Sequence, residues 1–207
     1  MQIILASKSP RRKEILSLLG MDFQIITEET DESSPTKDAC SLVCELARRK
    51  GQAVRKKLQE EGKLTAETLI ISADTVVVSP DGERIYGKPL GREEAFSMIS
   101  DYSGKKHSVI SGLSVFYNGI QHTEYEISYV FFDKMKTEDI NFYIDSCEPY
   151  DKAGGYAVQG LAGLYINKIE GDYFNIVGLP IRLLKTILEE KFQLDTKQIF
   201  NVKEPPK

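Results

Sequence analysis

No stretch of the 207-residue chain approaches the ~20 consecutive apolar residues of a membrane span. The opening residues, Met1-Gln2-Ile3-Ile4-Leu5-Ala6, have neither the basic segment nor the apolar length of a secretion signal. A cytoplasmic protein with no membrane partner is therefore expected. Cysteine is sparse and odd in number, with three residues in all, which excludes a disulfide scaffold and favours a reducing compartment. Cys40 and Cys44 are spaced C-x₃-C, Cys147 is distant, and the only histidines are His107 and His122. That set does not support a zinc site, and the cysteines read as small core residues. Basic residues are not in excess either: 27 Lys and Arg stand against 31 Asp and Glu, a formal charge of −4. A broad nucleic-acid surface is not expected, although a local basic site stays open. The chain also lacks a Gly-x-Gly-x-x-Gly fingerprint, a Walker loop, an internal repeat, a low-complexity linker and any Ser-His-Asp spacing.

What is present suffices for a packed core. Hydrophobic residues make up 41% and charged residues 28%, and the length suits one domain or two small lobes around a cleft. Gln2–Ala6 reads as a short buried strand. Ser9 reads as a helix N-cap, with Pro10 as the first helical residue and Gly20 as the stop. Phe23–Thr27 is a strand candidate, Glu28–Lys37 a polar loop, and Leu42 to Glu60 a long helix, followed by a charged connection through Glu67. Leu69–Val78 is strongly β-like, with a turn at Ser79–Gly82. A helix over Arg92–Ile99 precedes two strands, Val109–Tyr117 and Ile120–Phe132, joined at Asn118-Gly119, a strong two-residue hairpin signal. Thr137–Ser146 reads as a helix. Gly163–Ile169 and Tyr173–Val177 read as a hairpin over Glu170-Gly171-Asp172, and Ile181–Lys191 as a last helix opened by Pro180. The tail from Gln193 to Lys207 is expected to fray. Helices mixed with hairpins argue for an α/β fold with a mixed sheet.

Several segments could carry chemistry. Ser7-Lys8-Ser9-Pro10-Arg11-Arg12 lies between a strand and a helix start, where unsatisfied N–H groups and the helix dipole favour an anion. Two arginines there oppose the dipole unless an anion, for which the guanidinium fork suits phosphate, sits between them; plain solvation is the competing reading. Asp74 sits inside an apolar strand, a costly place for an unpaired carboxylate, so it is a candidate general base or metal ligand or else a capping residue at a strand end. If Val78 pairs with Glu83, Asp74 falls opposite Gly87, beside Lys88 and Pro89. Lys50 lies in the apolar stripe of Val43, Leu46, Ala47 and Val54, either snorkelling to water or reaching a phosphate. Asp31 and Glu32 pair carboxylates in a loop, a set that suits Mg²⁺ with water and phosphate. In Asp151–Gly160, three glycines suggest close approach to a ligand, and Gln159 carries both a donor and an acceptor.

In this order, these segments resemble the Maf (septum-formation) family of nucleoside triphosphate pyrophosphatases. The matching pieces are Leu5–Arg12, Asp31-Glu32, Leu46–Lys50, Ala73–Val76, Gly87-Lys88-Pro89, Ser103-Gly104 through His107 to Ser111-Gly112, Glu148–Tyr156, Gln159-Gly160 and Asn175–Pro180. They span about residues 2 to 190. The resemblance implies an α/β fold like that of inosine triphosphate pyrophosphatases: a mixed, elongated sheet flanked by helices, with two lobes around a nucleotide cleft. Residues 1–192 would form the domain and 193–207 a C-terminal tail. It implies metal-dependent hydrolysis between the α and β phosphates, with Mg²⁺ or Mn²⁺ as the cofactor and a homodimer as the assembly. Asp74 is implied as the proton acceptor, with Glu32, Lys50 and Lys88 as further catalytic residues and Glu32 and Asp74 toward the metal. Ser7, Ser9, Arg11, Arg12, Thr75, Lys152 and Gln159 are implied to hold the substrate. Arg11, Thr75 and Gln159 match the branch that acts on dTTP and UTP; the branch acting on 7-methyl-GTP carries Trp, Gln and Glu there. Modified pyrimidine nucleotides such as 5-methyl-UTP fit the same reading. The rival expectation is a nucleotide-binding regulator of cell division that acts through protein partners.

Overall fold

The computed structural model describes residues 1–146 and 148–200. Cys147, expected as a core residue, and the end of the expected tail (201–207) lie outside the described residues. The chain divides into two compact units. One comprises Met1–Asp74, Gly112–Tyr125 and the C-terminal segment from Gly178; the other comprises Thr75–Ser111 and Glu126–Val177. The architecture is mixed α/β, with a seven-stranded sheet in the order β2-β1-β3-β5-β6-β7 and β4 paired to β3.

In the first unit, β1 (Gln2–Leu5) and β2 (Gln24–Ile25) run parallel, joined through helix α1 (Pro10–Leu18). β1 also runs parallel to β3 (Thr68–Val78), from Gln2 opposite Thr68 to Leu5 opposite Ile71. Such parallel pairing needs a crossover, and α2 (Ala39–Glu60) supplies it. Asp38 caps α2 by accepting from the Ser41 N–H at 2.8 Å, so the helix starts before the expected Leu42. Its apolar stripe packs Val54 and Leu58 against Ile4, Ala6, Ile70 and Phe116. Gly112 lies against the backbone of Val43, where a Cβ would run into the Val43 carbonyl; α2 can approach β5 (Lys106–Tyr117) this closely only over a glycine. Cys40 and Cys44 are half-buried on α2 rather than core residues. The expected tail is not wholly frayed. The last long helix, α6 (Ile181–Thr186), continues as a π turn over Ile187–Lys191. A short helix (Thr196–Ile199) then buries Thr196 and Ile199.

The second unit has its own core, built from Val77 of β3, Ala95, Met98, Ile99 and Tyr102 of α3 (Arg92–Tyr102), Val130 and Phe132 of β6 (Ile120–Phe132), and Ile140, Tyr143 and Ile144 of α4 (Thr137–Asp145). β5 and β6 meet at Asn118-Gly119 as expected, both at positive φ (46° and 82°), the conformation that a two-residue hairpin of this type requires.

Two expectations are overturned. β4 (Ile85–Tyr86) pairs with β3 antiparallel through Val77–Tyr86 and Val78–Ile85, two residues out of the expected register. The turn is longer than four residues: the Ser79 N–H donates to the Arg84 carbonyl at 2.8 Å, and the Ser79 hydroxyl accepts from the Arg84 N–H at 2.9 Å. Asp74 therefore has no ladder partner at Gly87. The second expectation was a hairpin over Glu170–Asp172. Its first arm is shorter than expected: β7 (Ile166–Glu170) pairs with β6, after a 3₁₀ turn over Leu161–Tyr165. Its second arm is a helix, α5 (Tyr173–Val177). The Asp172 carboxylate accepts from the Phe174 N–H at 2.8 Å, the side-chain-to-backbone bond that starts helices. The buried Asn175 side chain is committed to hydrogen bonds away from its own segment.

Candidate active site

The first unit gathers a charged cluster. Asp74, inside the largely buried strand β3, is only 9% exposed. Lys50 reaches from the apolar stripe of α2 and donates to Asp74 Oδ1 at 2.6 Å. The same ammonium lies 2.8 Å from Glu32 Oε1. Lys50 therefore does not snorkel to water: it bridges the strand carboxylate and the loop carboxylate. The paired acids of the loop divide their work. Asp31 accepts from the Ser33 N–H at 2.8 Å and turns the loop, and hydrogen bonds from Ser33 hold its carboxyl below its ordinary range. Glu32 is left to face Lys50.

One residue of this cluster was not singled out from the sequence. Arg49 donates to the carbonyls of Asp31 (2.9 Å) and Ser33 (2.7 Å) and pairs with Glu45 one turn earlier. Glu45 in turn accepts from the Ser34 hydroxyl at 2.6 Å. The loop carrying Glu32 is thus clamped to α2 on both sides of Glu32. The only sequence signal was position: Arg49 precedes Lys50 in the Leu46–Lys50 segment.

The segment before α1 is built around Ser7 and Arg12. The Ser7 hydroxyl accepts from the Ser9 N–H (3.2 Å) and from Arg12 Nη1 (3.1 Å), and Arg12 Nε donates to the Gly178 carbonyl at 2.8 Å. Ser9 occupies the N-cap position of α1, but its side chain makes no capping bond, and the first turn holds no acid. The helix start thus keeps its positive end, with Arg11 and Arg12 beside it. Burial lowers the Arg12 pKa; Asp74 opposes this most, Arg11 reinforces it, and Glu32 opposes it less. Arg12 therefore shares an electrostatic environment with the two acids.

The second unit has hydrogen-bonded loops of its own. Thr75 follows Asp74 on β3, and its hydroxyl meets that of Ser111 at 2.8 Å. The Gly87 carbonyl accepts from the Gly154 N–H at 2.8 Å, which ties Gly87-Lys88-Pro89 to the glycine segment. Lys88 itself is exposed. Three tyrosines pin the glycine segment. Tyr102 donates to the Gly154 carbonyl (3.0 Å), Tyr143 donates to the Gly155 carbonyl (3.1 Å), and the Tyr156 hydroxyl meets His107 Nε2 at 2.7 Å. Gly154 has φ +71°, and a Cβ there would strike Val77, so only glycine fits. Burial lowers the His107 pKa to about 3, so the ring is neutral. Lys152 donates to the Glu148 carbonyl (2.7 Å) and to Asp151 Oδ1 (2.6 Å). Gln159 is exposed, and beyond it the Leu161 N–H donates to the Glu148 carboxylate at 2.9 Å.

The Maf-like protein family model matches residues 2–191 of this sequence. The chain belongs to the Maf family. Among its relatives, the dTTP/UTP pyrophosphatase of Thermoanaerobacter sp. (strain X514) is 43% identical over 196 residues, covering 94% of this chain and 98% of that one. The dTTP/UTP pyrophosphatase of Thermosipho africanus (strain TCF52B) is 40% identical, covering 96% and 97%. A solved structure, that of the Staphylococcus aureus Ham1 protein, matches with a TM-score of 0.52 at 14% identity, covering 92% of this chain and all of that one; it is a likeness of fold alone.

Among the described residues no group of three or more His, Cys, Asp or Glu side chains could hold a metal. A caged ion such as structural zinc does not fit this Maf site. Asp74 and Glu32 do fit a cation that takes one or two carboxylates and completes its shell with water and phosphate oxygens, as Mg²⁺ does. Both acids already converge on one positive centre, the Lys50 ammonium. No helix among the described residues is long and apolar enough to cross a membrane.

Proposed function

We propose that this protein hydrolyses dTTP and UTP, and modified pyrimidine nucleotides of the same hydrogen-bonding type, to the nucleoside monophosphate and pyrophosphate. The observation that carries this reading is the Lys50 bridge between Asp74 and Glu32, in a chain whose relatives of matching length are named dTTP/UTP pyrophosphatases.

In this reading Asp74 accepts the proton of a water molecule whose oxygen attacks the α-phosphorus. The bond to the bridging oxygen breaks, and pyrophosphate leaves. Glu32 and Asp74 would hold a divalent cation, which when bound would supply Lewis-acid neutralisation of phosphate charge. Lys50 balances the two carboxylates, and Arg12 adds a second positive charge within reach of their field. Ser7, Ser9 and the start of α1 receive phosphate oxygens on backbone N–H groups. Lys88 and Lys152 stabilise charge on the leaving group, and Arg11, Thr75 and Gln159 contact the base. Residues 1–192 form the catalytic domain, residues 193–207 are an appendage, and the protein works as a cytoplasmic homodimer.

Asp74→Asn tests the assignment. It keeps the shape of the side chain and removes the base, so turnover of dTTP with Mg²⁺ should fall by about a thousandfold, while the thermal unfolding curve stays cooperative. Wild-type rates in that variant would refute it.

A further inference from the structure

Glu148 stands where the glycine segment begins, and it holds that segment at both ends. Its backbone carbonyl accepts from the Lys152 ammonium at 2.7 Å. Its carboxylate reaches the far end, where Oε2 accepts from the Leu161 N–H at 2.9 Å. The other oxygen, Oε1, lies 3.4 Å from the Tyr143 hydroxyl, the group that donates to the Gly155 carbonyl in the middle of the segment. Between these anchors the chain turns on local bonds, from the Gly155 N–H to the Lys152 carbonyl (3.0 Å) and from the Gly160 N–H to the Ala157 carbonyl (3.1 Å). Gln159 therefore lies on a short stretch fixed on one side at Tyr156, whose hydroxyl meets His107, and on the other by the Glu148 carboxylate. Gly160 carries the same message independently. Its φ of −111° and ψ of −158° are extended backbone open to any residue, so conformation does not call for glycine there. Glu148 does: a Cβ at position 160 would run into its carboxylate. The absent side chain leaves the room that the carboxylate occupies.

We infer that Glu148 is a positioning residue of the substrate loop: its carboxylate clasps the Gly160–Leu161 turn and holds the stretch bearing Gln159 ready for the nucleotide. The inference rests on the proposed contact of Gln159 with the substrate and adds how that contact is prepared. A loop already held in its binding shape does not have to be ordered by the ligand. Without the clasp, the competent shape is only a fraction of the population, and apparent affinity falls by that fraction. The cost therefore falls on KM. The Lys152 ammonium is held by the backbone carbonyl of Glu148, which a change of side chain leaves in place, so kcat is kept.

The experiment measures kcat and KM for dTTP with Mg²⁺ in wild type, Glu148→Ala, Glu148→Gln, Gly160→Ala and the Glu148→Ala/Gly160→Ala double variant, with amide exchange at Leu161 followed alongside. Glu148→Ala should raise KM about fivefold or more, keep kcat within about twofold of wild type, and speed exchange at Leu161. Glu148→Gln should restore the wild-type KM, because an amide oxygen still accepts from the Leu161 N–H. Gly160→Ala should push the flexible carboxylate off its partners and raise KM in the same way. The double variant should be no worse than either single one, since both substitutions remove one clasp. A KM within twofold of wild type in Glu148→Ala, a kcat that falls as much as KM rises, no rescue by Glu148→Gln, or additive effects in the double variant would each overturn the inference and leave the pyrophosphatase reading intact. If Glu148→Ala does not fold, an unchanged KM in Gly160→Ala overturns the inference by itself. A wild-type protein that cleaves no nucleotide would instead refute the underlying functional reading.

Discussion

Asp74 and Thr75 are neighbours on one strand, yet the chain's two compact units divide between them, and each half is built differently. The half that ends at Asp74 is ionic: Lys50, Asp74, Glu32 and Arg12 share one electrostatic cluster, and Arg49 clamps the loop. The half that begins at Thr75 is held largely by neutral groups: Ser111, Asn175 and Ser128 on one side, and the tyrosine-pinned glycine segment with His107 on the other. In the proposed reading the difference matches two tasks. Hydrolysing a triphosphate calls for charge that can be balanced and moved. Telling one base from another calls for hydrogen bonds of fixed direction, which formal charges do not supply.

The comparison breaks if a change in the ionic half alters base choice rather than rate. Lys50→Met should lower turnover of every nucleotide by about a hundred- to a thousandfold, with the UTP/CTP ratio unchanged; steady-state assays on both substrates check this. Gly154→Ala puts a Cβ at positive φ and into Val77. It should cost about 2–4 kcal/mol of stability in denaturant melts, and hydrogen exchange should rise first in Gly154–Tyr156.

The neutral half should also show a pH signature. His107 has its pKa lowered from 6.5 to about 3 by burial, so between those values the unfolded chain binds the proton and the folded chain does not. Its contribution to stability is complete above about 6.5 and is lost as pH falls toward 3, at about 1.4 kcal/mol per pH unit. Replacing His107 with Gln should flatten that slope in urea melts taken between pH 6 and 4.5. The smallest effect is expected from Arg49→Ala. It loosens the Glu32 loop without touching its carboxylate, and should weaken the Mg²⁺ requirement curve by less than tenfold, a loss on the order of 1 kcal/mol.

How much of this was legible in the sequence depends on the range of the interactions. Local signals worked. Asn118-Gly119 marked its hairpin, the β-branched run of β3 marked a buried strand, and Lys50 in an apolar stripe marked an unusual lysine. Where a short segment's fate was set elsewhere, local pattern misled. Tyr173–Val177 has strand-like composition, but the Asp172 cap and the distant bonds of Asn175 make it helical. The β3–β4 register slipped because the Ser79 hydroxyl and backbone close a longer turn than Ser79–Gly82 suggested. The ordered motifs pointed to a set of candidate site residues. Their wiring was not legible: the Ser111–Asn175 bond joins positions 64 residues apart, and nothing in either segment states the direction of a hydrogen bond.

One measurement tests the central claim most directly: the products formed when the purified protein meets dTTP, UTP, CTP, GTP and ATP with Mg²⁺, with monophosphate, diphosphate, pyrophosphate and phosphate separated. The account requires monophosphate and pyrophosphate in equal amounts, fastest from dTTP and UTP. Diphosphate with free phosphate, or no turnover of any nucleotide with Mg²⁺ or Mn²⁺, would contradict it.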